Sequence, residues 1–198
     1  MAERIGKVIH YDLVTEINHG ILVSSLASAV GGELGLPKEQ CHELAVAGVL
    51  HDIGKLRLSG YVSGEENPLV VEEIKYVRRH PQLGCEILKK RGYSQYILEC
   101  IYYHHENYDG SGYPENLRGE EIPLGSCILR VCDTYGALVE KRPYRDAFDS
   151  QTAIRLMIDE VKNFDMQVFL AFMRVVHERE ETEKEAWKNG KISGDYSR

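Results

Sequence analysis

The stretch "HHENYDGSGYP", His104 to Pro114, decides how this chain is read. Two imidazoles stand side by side behind the apolar run "YSQYILECIYY" and lead straight into a turn-forming segment with Gly110, Gly112 and Pro114. Successive helix residues point about 100° apart. Two adjacent histidines can therefore approach one ion only where a helix ends and points at it. A pair of exposed histidines is the plainer alternative, and the rest of the chain has to choose between them.

Working outward, the other polar residues that are hard to place fall at apolar helices or helix ends. His51 and Asp52 close "LAVAGVLHDIGK", a segment apolar enough (Leu44, Ala45, Val46, Val49, Leu50) to be expected largely buried. A buried carboxylate beside an imidazole is costly unless a cation or hydrogen bonds compensate it. His19 lies among Ile17, Ile21 and Leu22, which read as core, and Asp133 lies inside "CILRVCDTYGALV". His80 is expected to end a helix, as are His104 and His105. Taken singly, His19 and His80 read as hydrogen-bonded helix residues, and Asp133 as a cap or paired carboxylate. His10, His42 and His177 stay in that ordinary class. As a set, imidazoles mixed with carboxylates and no thiolates suit iron, manganese, zinc or nickel more than a structural zinc site.

Composition bounds the rest. The 198 residues fit one domain, and 43% hydrophobic with 28% charged content allows a real core. The net charge of −7 argues against a nucleic-acid polymer or an anionic membrane as partner, though a local basic pocket remains compatible with phosphates. No apolar run reaches membrane-span length; "VFLAFMRVV" is short and carries Arg174. The first residues lack the apolar core of a signal peptide. Five cysteines without a CxxC pair read as reduced core residues, and the expected location is cytoplasmic.

Helical periodicity dominates and no alternating run stands out, so an all-α fold is expected: a single compact helical bundle with two long loops near the site. Leu13, Ile17, Ile21, Leu22 and Leu26 recur at three- and four-residue steps, Pro37 opens a helix, and Ser94 is placed to cap another. The loops are Lys55–Pro68 and Asn107–Pro123, long for a helical domain. The domain is expected over 1–178, with 179–198 a polar, frayed tail.

In this order, "HDIGK", "HPQLG", "HHENYDGSGYP" and "RVCDTYGALVEKRPYR" resemble the HD-GYP family, a subgroup of HD-domain metal-dependent phosphohydrolases. The resemblance runs from about His10 to Glu178, and its "HHE…DGSGYP" signature is far more specific than "HD" alone. It implies an all-helical fold that hydrolyses cyclic di-GMP with two divalent transition metals, iron or manganese first, with zinc, nickel or magnesium as alternatives. It further implies that His80, His104 and His105 ligate one metal, that His19, His51 and Asp133 ligate the other, and that Asp52 bridges both. Two cations about 3.5–4 Å apart can deprotonate a water between them and polarise the phosphoryl group it attacks. Asp52 and Lys55 are thus the catalytic candidates, and Lys55, Arg142 and Arg145 the candidates for gripping the dinucleotide. Without the motif, Lys55 would read as a helix C-terminal cation and the arginines as a solvated loop. Asp109 is a candidate to orient the histidines, or simply a turn residue. The resemblance also suggests that the Tyr113–Pro114 loop docks diguanylate cyclase-type or other regulatory partners. With no receiver or sensor segment in these residues, regulation is expected to come from a separate protein.

The chain departs from the family pattern in three places. Thr15 stands where some members have a third-metal glutamate, with Glu16 about 100° away, so two metals are expected. Gly136 replaces a second aspartate, and "LRLSGYVSGEENPL" differs from the usual loop. Two alternatives stay open: an HD phosphohydrolase of another nucleotide, and a metal-bound cyclic-dinucleotide sensor or interaction module with little turnover.

Overall fold

Seven α-helices are seen among the described residues of a computed structural model, which describes residues 13–57, 77–141 and 145–189. They are α1 (Leu13–Glu33), α2 (Lys38–Leu50), α3 (His80–Lys89), α4 (Gln95–Tyr102), α5 (Leu124–Val139), α6 (Ser150–Asp159) and α7 (Met166–Lys188). Short 3-10 turns at Gly119–Glu121 and Val161–Asn163 interrupt the connections, and no β-strand occurs among these residues.

The bundle is organised around α5, which packs against α1, α2, α4, α6 and α7. Its sequence explains that place, since Ile128, Leu129, Val131, Cys132 and Tyr135 leave no wide polar face and all are buried. A helix apolar nearly all round has to be enclosed. Phe169 and Phe172 of α7 close over it, with Phe172 edge-on to Tyr135. Polar side chains start the surrounding helices. Ser94 accepts from the Ile97 amide at 3.3 Å, Asp149 from Thr152 at 2.9 Å and Asp165 from Val168 at 3.0 Å. Each such cap is typically worth about 1 kcal/mol.

The inward stripe of α1 is His19, Val23, Leu26, Ala27 and Val30, all buried. Ile17 and Ile21, expected in the core, are 50% and 56% exposed, and Val49 on α2 is exposed as well. The expected stripe shares only Leu26 with the buried one: it counted only apolar residues, whereas the true stripe runs through a histidine. Where α1 and α2 cross, a Cβ on Gly48 would lie 2.6 Å from the Ser24 Cα. The missing side chain lets the two backbones touch and sets His19 beside His51.

Three boundaries differ from expectation. His80 begins α3 and does not end a helix there. Lys55–Arg57 form a helical turn, their amides bonded to carbonyls three residues back, where a loop was expected. Helix α7 continues to Lys188, ten residues past the expected domain end, although its last turns are mostly exposed. The rest of the Lys55–Pro68 loop and the expected helix at "NPLVVEEIKY" lie outside the described residues. All five cysteines are free, three of them buried.

Candidate metal centre

Five segments deliver side chains to one place: the middle of α1 (His19), the end of α2 (His51, Asp52), the start of α3 (His80), the turn after α4 (His104, His105) and α5 (Asp133). Their ligating atoms fall into two groups, Asp52 with His80, His104 and His105, and His19 with His51 and Asp133, each within 4.8 Å. The Asp52 carboxylate joins them: Oδ1 lies 3.1 Å from His80 Nε2, and Oδ2 lies 3.3 Å from His51 Nε2. Asp133 Oδ1 is 3.0 Å from His19 Nε2 and 3.6 Å from His51 Nε2.

Three of the histidines are oriented alike. His51, His80 and His104 turn Nδ1 to the carbonyls of Gly48, Val77 and Ile101, at 2.8, 2.7 and 2.6 Å. A carbonyl only accepts, so Nδ1 carries the proton and donates it, and Nε2 presents a lone pair inward. The Nε2 atoms of His80 and His104 then face each other at 3.3 Å, with Asp52 Oδ1 beside them. Lone pairs that close repel unless a cation lies among them. Two nitrogens each about 2.1 Å from one ion are themselves about 3.0–3.4 Å apart, depending on the angle. His51 Nε2 and Asp52 Oδ1 are, besides, buried without a hydrogen-bond partner. The donor set fits divalent metal.

Electrostatics point the same way. Burial opposes a charge on His19, but hydrogen bonds to Asp133 and Glu140 outweigh it and push its pKa up to about 9. Burial likewise opposes a charge on His51, yet Asp52 and Asp133 push it up to about 10. Asp52 and Asp133 are held well below the carboxylate range despite burial, the first by His51 and Lys55, the second by His19 and His51. These acids demand a positive charge, which a second proton on His19 and His51 supplies without metal and a cation at their Nε2 atoms would supply in its place. His104 and His105 resist one: burial, with other imidazoles crowding them, holds His104 well below the usual value and His105 at about 3. Neutral imidazole is the form that ligates.

Outside the cluster, Lys55 Nζ sits 2.5 Å from Asp52 Oδ2 and 3.5 Å from Glu16 Oε2. Burial disfavours its charge, but the two carboxylates push its pKa up. It is a fixed cation at the rim. The Tyr113 ring stacks on His105 at 4.7 Å, with Arg78 over the same ring at 5.2 Å. Asp109 touches no histidine: it accepts from the Ser111 amide and hydroxyl, as a turn residue does. Arg145 donates NH1 to Leu138 O at 3.0 Å and NH2 to Ala137 O at 2.7 Å, so its guanidinium secures the end of α5. Arg142 lies outside the described residues, as does His10, while His42 and His177 are exposed.

Two glutamates, Glu106 and Glu140, went unassigned in the sequence. Glu106 is buried and accepts from the amides of Glu115 at 2.7 Å and Leu117 at 3.1 Å, which folds the glycine-rich loop back. At Gly112 a Cβ would fall 2.2 Å from the Asn107 amide nitrogen, so only glycine lets the loop close so tightly behind the histidine pair. Glu140 accepts from His19 Nδ1 at 2.8 Å. It shares a helix face with Asp133 and Gly136, but the histidine it holds lies 121 residues away.

Comparison with known proteins gives the family. The sequence profile described as "HD domain" matches residues 6–168. A cyclic di-GMP phosphodiesterase of Pseudomonas aeruginosa is 38% identical over 159 residues, covering 80% of this chain and 38% of that protein. The cyclic di-GMP phosphodiesterase response regulator RpfG of Xanthomonas campestris is 35% identical, covering 77% and 41%. A 3'3'-cGAMP-specific phosphodiesterase of Vibrio cholerae is 33% identical, covering 79% and 37%. The chain thus spans about two fifths of the length of these relatives. In fold it is similar to an HDG"Y"P protein from Bdellovibrio bacteriovorus, with a TM-score of 0.66 at 22% identity over 82% of this chain and 52% of that one. The same holds for the HD domain of a L. monocytogenes phosphodiesterase in complex with cyclic-di-AMP, with a TM-score of 0.57 at 20% identity over 80% and 87%. With the profile matching most of its length and the histidine–aspartate cluster at its centre, the chain belongs to the HD-domain family.

Proposed function

We propose that this chain is an HD-GYP-type phosphodiesterase domain that hydrolyses a cyclic dinucleotide, cyclic di-GMP first, at a centre holding two divalent transition metals. The observation that carries the reading is the Asp52 carboxylate, whose two oxygens face the two ligand groups at 3.1 and 3.3 Å. The relatives named for cyclic di-GMP and cGAMP phosphodiesterase activity support the substrate class.

In this reading His80, His104 and His105 hold one ion, His19, His51 and Asp133 the other, and Asp52 both. The mixture of imidazole and carboxylate suits iron, manganese, zinc or nickel, and the resemblance to the HD-GYP family puts iron or manganese first. Bound there, the pair would supply Lewis acidity and a water acidic enough to serve as nucleophile near neutral pH. The chain's own groups do the positioning. Backbone carbonyls fix the proton on Nδ1 of His51, His80 and His104, which keeps each Nε2 available. Lys55, charged and half withdrawn from water, donates to a phosphate oxygen brought to the rim. The Tyr113 face, with Arg78 over it, lies beside that rim and offers a surface on which a base can stack. Arg145 secures the end of α5 through two of its N–H groups, and it and Arg142 remain the candidates for the phosphate contact. The Asn107–Pro123 loop is the docking face for a diguanylate cyclase-type or regulatory partner.

The test is turnover of a panel of cyclic dinucleotides by purified protein with Mn²⁺, or with Fe²⁺ under anaerobic conditions, products being resolved chromatographically. Metal-dependent opening of cyclic di-GMP is the expected result. Protein that carries its metals yet opens no member of the panel would be a binding module, and the reading would fall.

A further inference from the structure

His19 is held differently from the other histidines of the cluster, and the reason lies in where each stands on its helix. His51, His80 and His104 sit at helix ends or turns, where a carbonyl three residues back is not taken by the helix and accepts from Nδ1. His19 is seven residues into α1, where backbone carbonyls are already spent on the helix's own hydrogen bonds. Its Nδ1 needs an acceptor from elsewhere. Glu140, the residue that closes α5, supplies one at 2.8 Å, while Asp133, two turns earlier on the same face, holds Nε2 at 3.0 Å. Between them Gly136 makes room: a Cβ there would stand 3.0 Å from His19 Cε1 and 3.2 Å from Nδ1. The aspartate expected at that position is missing, and a carboxylate arrives instead from one turn further along.

We infer that Glu140 is the positioning residue for His19, fixing the proton on Nδ1 so that Nε2 is presented to the metal subsite shared with His51 and Asp133. The inference rests on the proposed metal centre and adds to it a residue to which the resemblance assigned no role. Outer hydrogen-bond partners of this kind typically change metal affinity about 10- to 100-fold.

The experiment is Mn²⁺ titration of metal-free wild type, Glu140→Ala and Glu140→Gln by calorimetry, with melting temperatures of the metal-free and loaded forms. Wild type is read first: failure to bind two ions would count against the metal centre itself, not against the role of Glu140. Given two ions, Glu140→Ala should weaken one subsite about 10- to 100-fold, spare the other, and shrink the metal-induced rise in melting temperature. Glu140→Gln should recover part of the loss, since its amide oxygen still accepts from Nδ1. Wild-type affinity at both subsites in Glu140→Ala would overturn the inference. So would Glu140→Gln behaving no better than Glu140→Ala, or a metal-free fold so weakened in Glu140→Ala that both subsites fail together.

Discussion

Replacing Gly48 by alanine tests whether the α1–α2 crossing sets the site. In a helix interior alanine is favoured over glycine by up to about 1 kcal/mol. Here the added Cβ would meet Ser24 Cα at 2.6 Å, Ser24 N at 2.7 Å and Val23 C at 3.0 Å, all backbone atoms of α1 that no rotamer change can move. The helices must part, and overpacking of that kind costs about 1–3 kcal/mol, occasionally more. A net loss of about 2 kcal/mol would lower the melting temperature by roughly 4–8 °C for a chain of this size. The Gly48 carbonyl also orients His51, whose ring lies 5.3 Å from that of His19, so metal affinity should fall with stability. Gly32, on the neighbouring helix α1, is the control: a Cβ there meets nothing within 4 Å, and Gly32→Ala should be neutral or stabilising by up to about 1 kcal/mol. Thermal melting with metal titration of both variants decides. Equal melting temperatures for Gly48→Ala and Gly32→Ala would refute the argument from close approach.

Asp52→Ala should abolish turnover and lower metal content together, because one side chain faces both ligand groups; retained metal content by elemental analysis would count against its bridging place. Arg145→Ala should cost about 1.5–3 kcal/mol, as for a hydrogen bond from a charged donor, and leave metal content unchanged; lost metal with an unaltered melting temperature would contradict its assignment to the end of α5. The metal-free protein should be most stable near neutral pH. His19 and His51, at about 9 and 10 against an ordinary 6.5, stabilise the fold fully below 6.5 and lose that contribution as pH rises through 9 to 10. His105, held at about 3, acts oppositely: below 6.5 the unfolded chain takes up a proton that the folded chain refuses, so stability falls towards acid. Melting temperature measured from pH 4 to pH 10 checks both limbs, and a steady rise to pH 10 would contradict the first.

The helical architecture was legible because helix signals are local: Ser94 at a cap, glycines at helix ends, apolar residues at three- and four-residue steps. The residues of the cluster were legible as a set, since each is a polar group at an apolar helix or a helix end. What the sequence hid was phase and direction. An apolar count placed Ile17 and Ile21 inward because it gave no weight to His19, the polar residue around which the buried stripe of α1 turns. Arg145 looked like a phosphate ligand, but its nearest acceptors are carbonyls that only the folded end of α5 brings within reach. Asp109 divided evenly between two readings until the Ser111 amide claimed it. Glu140 was passed over because its partner is 121 residues away, a pairing that spacing along the chain does not reveal.

The central claim is that the adjacent histidines of "HHENYDGSGYP" belong to a two-ion centre. Its most direct test is the metal-to-protein ratio of wild type and His105→Ala, each purified without a chelating tag and checked for helical circular dichroism. The ratio should approach two in wild type and fall in the variant through one ion's occupancy, with the helical signal kept, because Ile97 and Ile101 behind the turn are untouched. A wild-type ratio of three, or a variant that keeps the wild-type ratio, would contradict the account.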